Sequence, residues 1–252
     1  MTPNPTQSAV SKQWGAADER YDAYIRRELT DERRASWQGI FEEYRPGKPN
    51  LRILDSGCGP GFFALLLTGQ GHHITGIDVA GSMITTAKSN AAAAAAGDCE
   101  FFQMDSHELE FADESFDMVI VRNATWLLHN PVAAFEQWHR VLKPGGRLAV
   151  FDGNWMHYVH DPVAMRNRCM DQERAQAAGW TPFPRSTTQE DNRIAWHLPL
   201  SYVNRPSWDI PALLTVGFST VTVDPEIWKR IYTPLEHVLY ASTKMFGIGA
   251  EK

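Results

Sequence analysis

Residues 51–61 run Leu-Arg-Ile-Leu-Asp-Ser-Gly-Cys-Gly-Pro-Gly. A short apolar run ends in the carboxylate of Asp55. Gly57, Gly59 and Gly61 follow at alternate positions, before an apolar, helix-like stretch from Phe62. Glycines there let the backbone turn tightly and let a ligand approach without interference from a Cβ. A second carboxylate, Asp78, closes the next apolar run, His73 to Ile77. An acid about 20 positions past such a turn can accept hydrogen bonds from ribose hydroxyls. The pattern predicts a nucleoside-bearing ligand above the carboxyl ends of a parallel sheet. It is not the dinucleotide spacing G-x-G-x-x-G, which aims a helix N-terminus at a pyrophosphate. A carboxylate at position 55 repels a pyrophosphate but suits a cation, such as the ammonium group of an amino acid.

Strands and helices must hold these groups in place. Apolar residues recur at helical spacing over 18–45, at Tyr21, Tyr24, Ile25 and Leu29 and then at Trp37, Ile40, Phe41 and Tyr44, with a restart at Thr30 as an N-cap. Strands are expected at 52–55, 73–78, 100–104, 116–121, 147–152, 218–223 and 245–252. Between them lie helices from Gly61, over 81–97, from Asn130-Pro131 to Leu142, and over 208–217. Alternating strand and helix predicts an α/β chain with a doubly wound sheet. Residues 153–208 break the alternation and concentrate rings: Trp155, Tyr158, Trp180, Phe183, Trp196, Tyr202 and Trp208. Residues 1–12 are polar and carry two prolines. They are expected to form a disordered tail, leaving 13–252 as one domain.

Five segments in order carry a family resemblance. Asp55-x-Gly57-x-Gly59-x-Gly61 resembles motif I of the class I S-adenosylmethionine-dependent methyltransferases. Ile77-Asp78 is similar to the family's ribose-binding acid, and Met104-Asp105-Ser106 to its adenine-contacting turn. Phe116–Val121 looks like strand 4, and Leu142-Lys143-Pro144-Gly145-Gly146 like the turn into strand 5. The resemblance covers about 51–152 and is nearest the small-molecule branch that includes the ubiquinone- and menaquinone-type enzymes. It implies a Rossmann-like, seven-stranded sheet whose last strand inserts antiparallel between strands 5 and 6. It also implies that 153–208 is an inserted helical substrate cap. The implied cofactor is S-adenosyl-L-methionine, leaving as S-adenosyl-L-homocysteine. The implied cofactor-binding residues are Tyr21, Asp55, Gly57, Cys58, Gly59, Gly61, Asp78, Met83, Met104, Asp105, Ser106 and Asn123. Trp126, Asn154, Trp155 and Tyr158 follow strands 4 and 5 and are expected to face the substrate. His129 and His157 are the candidate general bases, because imidazole titrates near neutral pH.

Each of these residues also has a structural reading. Asp78 suits a solvated strand end, Asp105 a helix cap, Cys58 and the histidines simple packing, and the tryptophans a core. His157-x-x-His160-Asp161 has the spacing of a metal pair but lacks an evident third ligand, so no metal is expected. Methyl transfer from a sulfonium is an in-line displacement, so positioning alone can supply ~7–11 kcal/mol. A general base helps only where the nucleophile must lose a proton. Two other activities compete: a non-catalytic S-adenosylmethionine-binding or regulatory subunit, and a nicotinamide dehydrogenase.

Bulk properties narrow the partners. The 252 residues carry a net charge of −6, with acids and bases interleaved. Arg26, Arg27, Arg33 and Arg34 share their segment with Glu28, Asp31 and Glu32. That is a solvated helix face rather than a phosphate track, so the expected partner is a small molecule and not nucleic acid. No apolar run reaches the ~18 residues of a membrane span. Cys58, Cys99 and Cys169 show no metal spacing, which fits a reducing cytoplasm. Whether the chain is a monomer or a homodimer is not encoded legibly.

Overall fold

The computed structural model describes residues 5–15, 19–29, 32–181 and 188–252. A seven-stranded sheet forms its centre, in the order β3-β2-β1-β4-β5-β7-β6. The strands are β1 (Arg52–Ser56), β2 (His73–Asp78), β3 (Cys99–Gln103), β4 (Phe116–Arg122), β5 (Leu142–Asp152), β6 (Thr220–Asp224) and β7 (Phe246–Glu251). β1 to β5 pair in parallel, while β7 runs antiparallel to both β5 and β6. This is the expected doubly wound sheet, with the last strand reversed between the fifth and sixth.

The two faces of the sheet are both covered, so the central strands are apolar throughout rather than alternating. One core layer joins Ile53, Met118, Ile120 and Phe151 to Trp37, Phe41 and Phe63. The opposite layer joins Leu54, Val119, Val121 and Leu148 to Phe135 and Trp138. The first lies under α3 (Arg33–Tyr44) and α4 (Phe62–Leu66); the second lies under α6 (Pro131–Val141) and α9 (Asp209–Val216). Asn130 opens α6, its side chain accepting from the Ala133 N–H at 3.2 Å, with Pro131 as the first helical residue. That matches the expected cap, a position where proline loses no hydrogen bond.

The chain before β1 differs from expectation. The disordered tail expected over 1–12 is, from Pro5, the helix α1 (Pro5–Gly15). Val10 and Trp14 lie one helical turn apart and pack with Ile194 and Leu198, which gives the segment an apolar seam. α2 (Glu19–Glu28) then precedes α3. The N-cap expected at Thr30 lies outside the described residues, as does Phe183 of the aromatic insertion.

The insertion is helical, as expected, with α7 (Pro162–Ala177) and α8 (Thr188–Ala195) between short 3-10 turns. After β6 the chain forms α10 (Trp228–Ile231) and α11 (Pro234–Leu239). Arg230 of α10 clamps Glu43 of α3 at the surface with two hydrogen bonds of 2.7 and 2.8 Å.

Candidate active site

The chemistry-bearing residues collect where β1, β2, β4 and β5 end. In an open α/β sheet this carboxyl edge is where a crevice forms. A cleft opens there. Of the predicted cofactor residues, Tyr21, Gly57, Gly59, Asp78, Met83, Met104, Ser106 and Asn123 line it. Gln7, Val10 and Trp14 of α1 line it as well. The sequence reading missed Gln7 and Val10 because it took residues 1–12 for a tail, and it gave Trp14 no role.

The glycine turn is shaped for close approach. Gly57, Gly59 and Gly61 have φ of +77°, +52° and +93°, a region open to glycine and strained for other residues. A Cβ on Gly57 would stand 2.5 Å from the Ala124 Cβ, which closes the turn against the loop after β4. Asp78 fixes the turn from the next strand. Its carboxylate accepts from the Gly59 N–H at 3.1 Å and the Ala80 N–H at 2.9 Å. Burial raises its pKa, against the pull of these backbone donors.

Asp55 lies beneath the turn rather than on the cleft wall. It is buried, and its Oδ2 has no hydrogen-bond partner in the protein. Burial first, and then the charge of Asp78, push its carboxyl up to about 8, while Arg122 pulls the other way. A buried carboxylate oxygen without a donor is costly, and a cation above the turn would satisfy it. Asn123, at φ +54°, likewise keeps a buried Oδ1 without a partner. Cys58 is buried, its thiol donating to the Gly59 carbonyl at 3.6 Å and pushed up by burial. That is the packing alternative rather than a reactive thiol.

Other predicted residues are committed elsewhere. Asp105 does not line the cleft; its Oδ1 takes both the backbone N–H of His107, at 3.0 Å, and the His107 ring, at 2.5 Å. Burial raises its pKa, but the bonds to His107 outweigh it and lower it overall. His107 in turn stacks on His129 at 3.9 Å between ring centroids, and His129 meets Gln7 of α1 at 3.2 Å. His157 contacts the Ser201 carbonyl at 3.2 Å and Asp161 at 3.4 Å. Neither histidine reaches the cleft wall. Asp161 caps α7 through the Val163 and Ala164 N–H groups, and His160 stacks on Tyr202 at 3.6 Å. Among the described residues, no cluster of three or more groups could hold a metal ion.

The substrate candidates after β4 and β5 are also partly structural. Asn154 exchanges two hydrogen bonds with the backbone of Arg205, at 2.8 and 3.0 Å. The Tyr158 hydroxyl donates to Asn192 at 2.6 Å. Trp126 donates its indole N–H to the Asn123 carbonyl at 3.0 Å and so holds that loop. Beneath both loops sits fully buried Asp152, which accepts from Thr125, from the Gly153 N–H and from Arg205. Arg205 also binds Asp209. The sequence reading passed over this network because its members lie up to 84 positions apart, a distance that is the separation of 125 from 209.

A second missed residue is Arg122, the last residue of β4, which lines the cleft. Its Nη2 donates to Glu28 at 2.6 Å, and its guanidinium lies over the rings of Phe62, at 3.9 Å, and Trp37, at 4.9 Å. The only signal in the sequence is a charge placed directly after the apolar run Phe116–Val121.

Comparison with known proteins supplies the remaining findings. Residues 54–150 match a family model described as a methyltransferase domain. The chain is 28% identical over 76% of its length to cycloartenol-C-24-methyltransferase 1 of Oryza sativa subsp. japonica, covering 59% of that protein. It is 33% identical over 59% of its length to a malonyl-[acyl-carrier protein] O-methyltransferase of Erwinia pyrifoliae, covering 52%. The chain thus spans about half to three-fifths of the length of these curated relatives. A solved SAM-dependent methyltransferase from Aquifex aeolicus shares the fold at a TM-score of 0.57 and 18% identity, over 91% of this chain and 97% of that one.

Proposed function

We propose, because this chain belongs to the class I S-adenosylmethionine-dependent methyltransferases, that it transfers a methyl group from S-adenosylmethionine to a small-molecule acceptor. The observation that carries the reading is the orphaned Oδ2 of Asp55 beneath a turn of three glycines at positive φ, where Gly57 has no room for a Cβ. A cationic amino-acid group answers the first feature, and close backbone approach answers the second. The cofactor, when bound, supplies an activated methyl on a sulfonium whose sulfur leaves as a neutral thioether.

This chain's own residues then divide the binding. Asp55 faces the ammonium group. The Gly57–Gly61 backbone lets the methionyl part lie close, and Asn123 offers its free Oδ1 from the other side. Asp78 takes the ribose hydroxyls while holding the turn. Met83 and Met104 pack the nucleoside, and Ser106 borders the base; Asp105 supports this end through His107. Tyr21, Gln7, Val10 and Trp14 cover the cleft and exclude water. No histidine lines the cleft, which favours catalysis by positioning over a general base at His129 or His157.

Asp152 and Arg205 hold the loops that border the acceptor, while the aromatic insertion covers them. One relative is named for a carbon of cycloartenol and another for an oxygen of a malonyl group, so family membership leaves the accepting atom open. No described helix is long and apolar enough to cross a membrane. The free cysteines support a cytoplasmic enzyme, and the interleaved charge supports one that does not bind nucleic acid. Incubation with methyl-labelled cofactor and a metabolite extract is the test. Label is expected in a small-molecule fraction. Tight cofactor binding without any turnover would favour a regulatory subunit instead.

A further inference from the structure

The amino-acid end of the cofactor brings a carboxylate as well as an ammonium group, and the two need opposite partners. The glycine turn has no donor left for a carboxylate. The Gly57 and Cys58 N–H groups both donate to the Ile77 carbonyl, at 2.8 and 2.9 Å. The Gly59 N–H donates to Asp78 at 3.1 Å, and the Gly61 N–H to the Cys58 carbonyl at 3.0 Å. Pro60 has no N–H to give. The turn is therefore not one of the anion-binding concavities that successive free N–H groups can form.

One donor on the cleft wall is unspent. Among the described residues, the Nε–H of Arg122 is the only buried side-chain N–H that lines the cleft and has no acceptor in the protein. A buried N–H in that state is rare in native proteins. Register and packing hold it at the turn. Asp55 of β1 pairs with Ile120 of β4. Side chains alternate along a strand, and Ile53 and Ile120 belong to one core layer. Asp55 and Arg122, each two residues further on, therefore point to that same face. The Arg122 guanidinium lies 3.9 Å from the centre of the Phe62 ring, and Phe62 directly follows the turn. Nη2 donates to Glu28 at 2.6 Å, and Glu28 also takes the Trp37 indole N–H at 2.8 Å, which fixes the guanidinium. Glu28 neutralises Arg122, so the site offers a directed N–H rather than a free positive charge. One unspent donor on Arg122 and two unspent acceptors, on Asp55 and Asn123, thus gather at the ends of β1 and β4. That set is complementary to a zwitterion.

We propose that the Arg122 Nε–H binds the carboxylate of the cofactor's methionyl group, across the α-carbon from the ammonium at Asp55. The inference rests on the methyl-transfer reading and deepens it. Holding both charged groups of the amino acid leaves one orientation for the chain that carries the sulfur.

The test is calorimetry with S-adenosylhomocysteine and with its decarboxylated analogue, in which hydrogen replaces the carboxylate. Removing the carboxylate also removes its repulsion by Asp55, so without a donor the analogue would bind as well or better. Wild-type protein should instead prefer S-adenosylhomocysteine by at least about tenfold. Arg122→Met combined with Glu28→Gln removes the buried pair together and strands neither charge. That variant should lose the preference. In the wild-type protein, the Arg122 Nε–H proton resonance should move downfield with S-adenosylhomocysteine and not with the analogue. A smaller wild-type preference, a preference that survives in the double variant, or an Nε–H resonance that is the same with both ligands would overturn the proposal. Failure of S-adenosylhomocysteine to bind at all would overturn the methyl-transfer reading, and this inference with it.

Discussion

Asp55 offers a titration that tests whether it faces the amino-acid end of the proposed cofactor. Its carboxyl is raised to about 8, by burial and then by Asp78. An ammonium group above the glycine turn needs the ionised form, so binding below pH 8 must drive a proton off Asp55. Each pH unit below that value lowers the ionised fraction about tenfold and costs binding about 1.4 kcal/mol. Between pH 6 and pH 7.5, affinity for S-adenosylhomocysteine should therefore rise about 30-fold, or about 2 kcal/mol. About one proton should be released per ligand bound. Calorimetry in buffers of different ionisation heat measures both quantities. Asp55→Asn has nothing to titrate there, and should bind weakly with no slope. Stability carries the same sign. The ligand-free native state keeps a proton that the unfolded chain loses near pH 4, so its stability falls as pH rises from about 4 to about 8. The bound state escapes this loss, and the melting shift caused by ligand should grow with pH. A wild-type affinity that is flat from pH 6 to 7.5, with no proton release, would refute the assignment of Asp55 to the ammonium.

Four further outcomes are expected. Asp78→Ala should weaken S-adenosylhomocysteine about 10- to 150-fold in calorimetry while the protein stays folded, as charge-assisted hydrogen bonds worth ~1.5–3 kcal/mol are lost. Gly57→Ala should lower the melting temperature and cofactor affinity together, since φ is +77° and the new Cβ meets Ala124; adding Ala124→Gly relieves the contact but not the backbone strain of about 1–2 kcal/mol. Asp152→Ala leaves Arg205 with one carboxylate fewer in a buried site and should destabilise by about 3–5 kcal/mol in urea unfolding. His129→Ala and His157→Ala should each keep turnover within less than the ~10²-fold that loss of a general base produces; a larger drop in either would restore it as a catalytic group.

The sheet and the glycine turn were legible because their signals are local. Asp55, the three glycines and Asp78 sit within one strand–turn–strand stretch, and each belongs to a strand end that hydrophobic runs already mark. The cap over 153–208 was legible for the same reason, as a break in the alternation. What stayed hidden depends on partners far along the chain. Pro5–Gly15 reads as polar, and only the turn-spaced pair Val10 and Trp14 hints at the surface of Ile194 and Leu198 that makes it a helix. Asp105 sits at the family position for contacting a base, but a histidine two residues later takes its carboxylate. His157, His160 and Asp161 have a ligand-like spacing, yet three dissimilar local jobs consume them: a carbonyl contact, a ring stack and a helix cap. Arg122 needed Glu28, 94 positions earlier, to be recognised as a buried ion pair.

Two arginines contrast in how their donors are used: Arg205 is closed inside the protein, while Arg122 lines the cleft. Arg205 is 1% exposed and spends its donors inside the protein: Nε on both oxygens of Asp209, Nη2 on Asp209 and Nη1 on Asp152. Two carboxylates face one guanidinium, so that site is closed, and its role is to fix the loops after β4 and β5. Arg122 is less deeply buried, at 7% side-chain exposure, meets only one carboxylate and keeps its Nε–H unused beside a cleft. Desolvating a guanidinium is expensive unless its donors are matched, so an unmatched one is retained only where something else matches it. Asp55 repeats the pattern with the opposite sign: a carboxylate sealed below the turn, with an oxygen left open. An unused N–H of Arg122 and an unpartnered oxygen of Asp55 leave polar atoms of the ligand-free site unsatisfied. A ligand that brings both a cationic group and an acceptor oxygen would satisfy the two together.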